Sequence, residues 1–205
     1  MNNILIHPTY FPSISQVAAM VQAESVTFEM EDNFQKQTNR NRMYIYSPNG
    51  IQLLNIPIKH SNEPHQKTKD TRLETAFNWQ KQHFKSLEAA YRTSPFFEYY
   101  EDALAPIFTK KHTFLMDLNF ETIEIVSKCL GVSFGTNKTT EYFHEVTDYN
   151  DLRYLANGKK DTSVLEPYTQ VFEEKHGFIN NLSILDLLFN EGRYAKDYLT
   201  QQVIL

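Results

Sequence analysis

A single cysteine, Cys129, among 205 residues rules out an intramolecular disulfide. A lone thiol fits a reducing compartment, so the cytoplasm is the expected location. Long apolar runs are missing too. The first 20 residues carry only Ile4-Leu5-Ile6, with no basic segment before it and no small-residue cleavage site after it, which reads as neither signal peptide nor anchor. The stretch Ile184 to Phe189 is interrupted by Asp186 and falls far short of the roughly 20 residues of a membrane span. Six glycines leave no Walker loop and no Gly-x-Gly-x-x-Gly fingerprint, so nucleotide binding has no motif behind it. No Gly-x-Ser-x-Gly elbow surrounds Ser183, which reads as a helix cap rather than a nucleophile. Basic charge is scarce: 25 acidic against 20 basic residues give a formal net charge of -5, which argues against affinity for nucleic acid through phosphate neutralisation.

What is plentiful is aromatic, with 12 Tyr, 15 Phe and one Trp, side chains that fill cores and also stack on sugar rings. The pattern along the chain is mixed α/β. Asn3 to Ile6 reads as a buried strand. Ser13 then opens a helix in which Ile14, Val17, Ala18 and Val21 share a face and Gln16 stands at capping-box spacing. The loop between them, His7 to Pro12, sits beside a helix start whose free N–H groups favour an anion. Val26 to Met30 alternates as a second strand, and Arg42 to Ser47 and Ile51 to Ile58 flank Asn49-Gly50 as a hairpin. Residues 59–71 are polar and aperiodic and read as a loop. Three helices follow over about 77–131: Phe77 to Arg92 with Phe77, Phe84, Leu87, Ala90 and Tyr91 inward, Phe96 to Ile107, and Asp117 to Leu130 stopped by Gly131. Short strands are expected at 132–134, 141–143 and 168–172, and helices at 184–190 and 193–199. The expectation is one domain over 1–205, with a small mixed sheet, an N-terminal strand-loop-helix, a hairpin near 42–58 and a helical middle.

Three segments carry polar groups near strand or helix ends, where ligands of α/β proteins collect: His7 and Tyr10; Lys36, Asn41 and Arg42; and His176, Asn180, Asn181 and Asp186. His83 and His176 are candidate general bases because imidazole titrates near neutral pH. The alternative for His83 is a helix residue packed on Trp79. Arg42 is the anion-binding candidate, since a guanidinium grips phosphate or carboxylate with two parallel bonds, and an ordinary strand-start ion pair is the plain alternative. His60 and His65 would bind a metal only with partners from elsewhere. The residues imply no metal site and no particular cofactor.

Tyr10-Phe11-Pro12, Asn33 to Arg42, Ile56 to His60, Trp79 with His83 and Tyr91, Phe96 to Tyr100, Gln170 to Phe178 and Asn181 to Gly192 fall in an order that resembles the WbqC-like protein family. The resemblance implies a bacterial cytoplasmic protein of surface-polysaccharide, O-antigen type, biosynthesis. It implies a pathway and not a reaction; taken with the placement of the matched polar residues near element ends, the leading expectation is action on a nucleotide- or lipid-linked sugar by acyl or aminoacyl transfer or by hydrolysis. His83, His176 and Asp186 would then be catalytic, and Tyr10, Lys36, Asn41, Arg42, Trp79 and Asn181 would hold the small-molecule or sugar-linked substrate. A non-catalytic binding or scaffold protein of the same pathway is the alternative. Many relatives have Gln-Pro where this chain has His7-Pro8, which makes His7 a local variation.

Overall fold

A computed structural model describes residues 3–61, 64–135 and 137–204; residues 62 and 63 of the expected polar loop lie outside it. Strand β1 (Asn3–Ile6) is followed by helix α1 (Ile14–Gln22) and strand β2 (Ser25–Phe28). Ile4, Leu5 and Ile6 are completely buried, as befits a central parallel strand covered on both faces. The hairpin follows as β3 (Arg42–Ser47) and β4 (Gly50–Asn55), with Ser47 opposite Gly50 at the turn and Arg42 opposite Asn55 at the open end. Gly50, at φ +92, supplies the backbone conformation that the turn requires.

Helices α2 (Trp79–Tyr91), α3 (Phe97–Thr109) and α4 (Leu115–Leu130) form the middle section. Asn78 caps α2 by accepting from the Lys81 N–H, and Gly131 ends α4 in the left-handed conformation. Because α2 begins at Trp79, its buried face is Trp79, His83, Leu87, Ala90 and Tyr91. Phe77, expected inward, precedes the helix and is 66% exposed.

Two short strands, β5 (Asn137–Lys138) and β6 (Asn150–Asp151), complete an all-parallel sheet of order β5-β2-β1-β6, separate from the antiparallel hairpin. The strands expected at 132–134, 141–143 and 168–172 do not form. In the last of these the alternation is real but serves packing: Tyr168 and Gln170 both turn inward to Asp186. Helices α5 (Glu173–His176), α6 (Ile184–Glu191) and α7 (Ala195–Gln201) close the order. The architecture is thus mixed α/β, and among the described residues no helix is long and apolar enough to cross a membrane.

The start of α1 differs from expectation in an instructive way. Ser13 makes no side-chain cap bond. Gln16 instead braces the preceding loop, donating to the His7 carbonyl at 2.6 Å and accepting from the Thr9 hydroxyl at 2.8 Å. The Ile14 and Ser15 N–H groups are taken by the Leu182 carbonyl and the Asn181 side chain, both at 3.0 Å. Neutral acceptors from the chain therefore occupy the place foreseen for an anion.

Candidate functional site

The hairpin's open end and the start of α1 enclose a cleft of about 320 Å³, into which Ser13, Asn39, Arg42, Tyr44, Lys159 and Asn181 project, with Asp161 at its rim. Arg42 is half-buried. Its Nε is shielded from solvent without a hydrogen-bond partner, and among the described residues it forms no ion pair. Asp161, the nearby carboxylate, is already committed: it accepts from Ser15 Oγ at 2.6 Å, from Asn181 Nδ2 at 2.7 Å and from the Ser163 N–H at 3.0 Å. The cleft thus pairs a cation lacking a partner with neutral donors, which is the chemistry of an anion site.

Of the residues foreseen from sequence, the fold brings Arg42, Asn180 and Asn181 together here. Asn41, next to Arg42 in the chain, is not in the lining: its Nδ2 donates to the Ile56 carbonyl at 2.9 Å and its Oδ1 is buried without a partner. Lys36 is exposed and lines a different hollow with Lys59, His60 and His65.

Tyr10, Trp79 and His83 form a second group. The Tyr10 hydroxyl lies 3.1 Å from His83 Nδ1, and His83 Nε2 lies 3.3 Å from the Asn55 carbonyl. Since a carbonyl only accepts, Nε2 carries the proton and Tyr10 donates to Nδ1. Trp79 packs edge-on to both rings. Burial lowers the His83 pKa to about 4, only partly offset by the Asn55 bond, so the ring is neutral at pH 7.

His176 is exposed and bonds the Pro48 carbonyl at 3.0 Å, whereas His83 bonds Asn55 at the hairpin's other end. Five residue steps at about 3.4 Å each separate the two ends by roughly 17 Å. Arg42, His83 and His176 therefore do not share one cleft.

Asp186 is completely buried at a third place. It accepts from Tyr91 at 2.7 Å, from Tyr168 at 2.5 Å and from Gln170 at 3.0 Å. Burial raises its pKa against these three bonds, and Tyr91 in turn accepts the Tyr46 N–H at 2.9 Å. The constellation ties α2, α6, β3 and the 168–170 segment together.

A group that the sequence did not assemble lies at the carboxyl ends of the parallel strands, where α/β sheets commonly bind ligands. His7 follows β1, Glu29 follows β2, and Asp151 and Arg153 mark the end of β6. Asp32 accepts from Arg40 Nε and Nη2 at 2.9 and 2.7 Å, with both residues buried. His7 Nδ1 stands 3.5 Å from the same Asp32 oxygen. Arg153 binds Asp151 at 2.7 Å and Glu29 at 3.3 Å. The sequence clue was the position of His7, Glu29, Asp151 and Arg153 at or just after strands; the Asp32–Arg40 and Asp151–Arg153 pairs are local, but the contacts that join them to His7 and Glu29 come from distant parts of the chain.

A family model described as the WbqC-like protein family matches residues 7–160. An uncharacterized protein of Mycobacterium tuberculosis is 30% identical, over 81% of this chain and 83% of its own length. No solved structure matches. The order of the sequence blocks and this match agree: the chain belongs to the WbqC-like protein family.

Proposed function

We propose that this chain, acting as one domain in the cytoplasm, binds an anionic, activated sugar in the Arg42 cleft and serves bacterial surface-polysaccharide assembly by acyl or aminoacyl transfer or by hydrolysis. One observation carries the binding reading: Arg42 stands half-buried in the lining of the cleft and forms no ion pair among the described residues. A phosphate or carboxylate would meet the terminal Nη groups of the guanidinium, with Tyr44, Asn181 and Lys159 around it. The polysaccharide pathway rests on the sequence blocks that resemble the family.

A charge-assisted hydrogen bond contributes about 1.5–3 kcal/mol. Arg42→Ala should therefore weaken binding on the order of 10- to 100-fold, and Arg42→Lys by less. Calorimetric titration with UDP, dTDP-glucose and UDP-N-acetylglucosamine tests this. Equal affinity in wild type and Arg42→Ala, or no binding by any of the three, would refute it.

The second reading is a non-catalytic binding or scaffold protein of the same pathway. It is favoured by the separation of His83 and His176 from each other and by the occupation of both His83 nitrogens. Bacteria carrying folded His83→Gln or His176→Ala protein that still make the glycan normally would favour this reading over chemistry by those residues.

A further inference from the structure

The cleft at the sheet edge differs in kind from the Arg42 cleft, and its chemistry points to a different ligand. Its lining includes His7, Gln35, Tyr142, Asp151, Asn157 and Lys160, around a volume of about 230 Å³. That is small against the roughly 300–1,000 Å³ of sites for drug-sized molecules, and it suits a single ring. Its guanidinium groups already have partners: Arg40 lies on Asp32, and Arg153 on Asp151 and Glu29. The three carboxylates nearly balance Arg40, Arg153 and Lys160, so the cleft has little excess charge to attract an anion. What it offers instead is a dense mixture of donors and acceptors from Gln35, Asn157, Asp151 and Lys160, beside the 40%-exposed Tyr142 ring.

His7 is the buried group in this cleft with a ring nitrogen that lacks a hydrogen bond. Its side chain is 7% exposed, and its Nδ1 is buried without a hydrogen bond, facing Asp32 at 3.5 Å. With Nδ1 turned inward to a carboxylate, Nδ1 is the nitrogen that keeps the proton, and Nε2 is left as an acceptor for whatever enters the cleft. Burial, with the positive charges of Arg40 and Arg153 behind it, holds the ring pKa well below 6.5. The acceptor form therefore persists at neutral pH.

We propose that the sheet-edge cleft is a second binding site, for a small uncharged polyhydroxylated molecule of the monosaccharide class, with one ligand hydroxyl donating to His7 Nε2. Asp151 accepts from a further hydroxyl, the Asn157 amide donates to another, and the Tyr142 ring covers an apolar face of the sugar. This site uses different residues from the Arg42 cleft, so it stands or falls separately from the anion reading. In a two-substrate reaction it would hold the uncharged partner.

The test is an NMR titration of the full chain, carrying ring-labelled histidine, with a panel of common hexoses, deoxyhexoses and N-acetylhexosamines. The expected result is a saturable shift of the His7 ring signals at pH 7.5, with at least one member of the panel. His7→Gln, whose amide oxygen still accepts, should keep binding within a few-fold, and His7→Leu should lose it about tenfold or more. Asn157→Ala, a change at the half-buried rim, provides the same comparison if His7→Leu fails to fold, as judged by circular dichroism. No shift of His7 with any sugar would overturn the proposal. So would undiminished binding by His7→Leu, or by Asn157→Ala where it replaces that variant.

Discussion

Acidification should expose the cost of burying His83. Its pKa falls from 6.5 in the open chain to about 4 in the folded protein. As pH drops, the unfolded chain therefore takes up this proton before the folded one does. The stability that rests on neutral His83 is present above pH 6.5 and is lost as pH falls through the window from 6.5 to about 4. At pH 5 the difference in proton binding amounts to about 2 kcal/mol, using 1.36 kcal/mol per pKa unit. The perturbation is His83→Gln, which removes the titration while leaving a side chain able to hydrogen-bond. Urea unfolding followed by Trp79 fluorescence at pH 7.5 and pH 5 gives the stability of each protein. The His83→Gln protein should be the less stable of the two at pH 7.5 by about 1–2 kcal/mol, for the altered bond to Tyr10. That gap should shrink by about 2 kcal/mol, and can reverse, at pH 5. His7 and His112, both buried and both held below their ordinary range by that burial, titrate in both proteins and cancel. A gap constant to within about 0.5 kcal/mol, the usual limit of additivity, would refute the reasoning.

Two further substitutions probe the other polar centres. Arg40→Ala strands Asp32 in the interior, where it loses bonds of 2.7 and 2.9 Å, and should cost about 3–5 kcal/mol in chemical unfolding; a loss under about 1 kcal/mol would mean that water reaches Asp32. Tyr91→Phe removes a donor to Asp186 and the acceptor of the Tyr46 N–H and should cost about 1–3 kcal/mol, measured by the same urea titration. An unchanged midpoint would show that Asp186 does not depend on that hydroxyl.

The elements legible in the sequence were those whose signal is local. Ile4 to Ile6, the Asn49-Gly50 turn and the Gly131 stop each carry their instruction within a few residues, and each appears in the structure. The strands β5 and β6 are two residues each, polar and exposed, so no hydrophobic alternation marks them; β1 and β2 impose their extended form from outside. Ser13 and Gln16 had the right spacing for a cap, but Gln16 finds a better geometry on His7 and Thr9. The same division applies to the candidate sites. Arg42 could be picked out because a guanidinium at a strand start is chemically conspicuous. His7 reads as a local variation because many relatives have Gln-Pro there, and nothing in the sequence shows that Asp32, Arg40 and Arg153 surround it in the fold. His83 was foreseen beside Trp79 on α2, and only the fold shows that Tyr10 and Asn55 occupy both of its nitrogens.

The Arg42 cleft draws its walls from residues 13, 37–51, 158–161 and 180–182, and more than a hundred residues of chain lie between the second of these segments and the third. Closing loops of that size is the slow part of folding. The cleft is consequently a feature that matures only once distant segments have met, and a partly folded chain has no version of it. A ligand that binds there recognises the finished protein alone, so its full binding energy is added to the global unfolding equilibrium rather than to any local one. Binding should thus slow amide exchange at the centre of β1 as much as at the cleft itself, making the most deeply buried strand a reporter for a ligand it never touches.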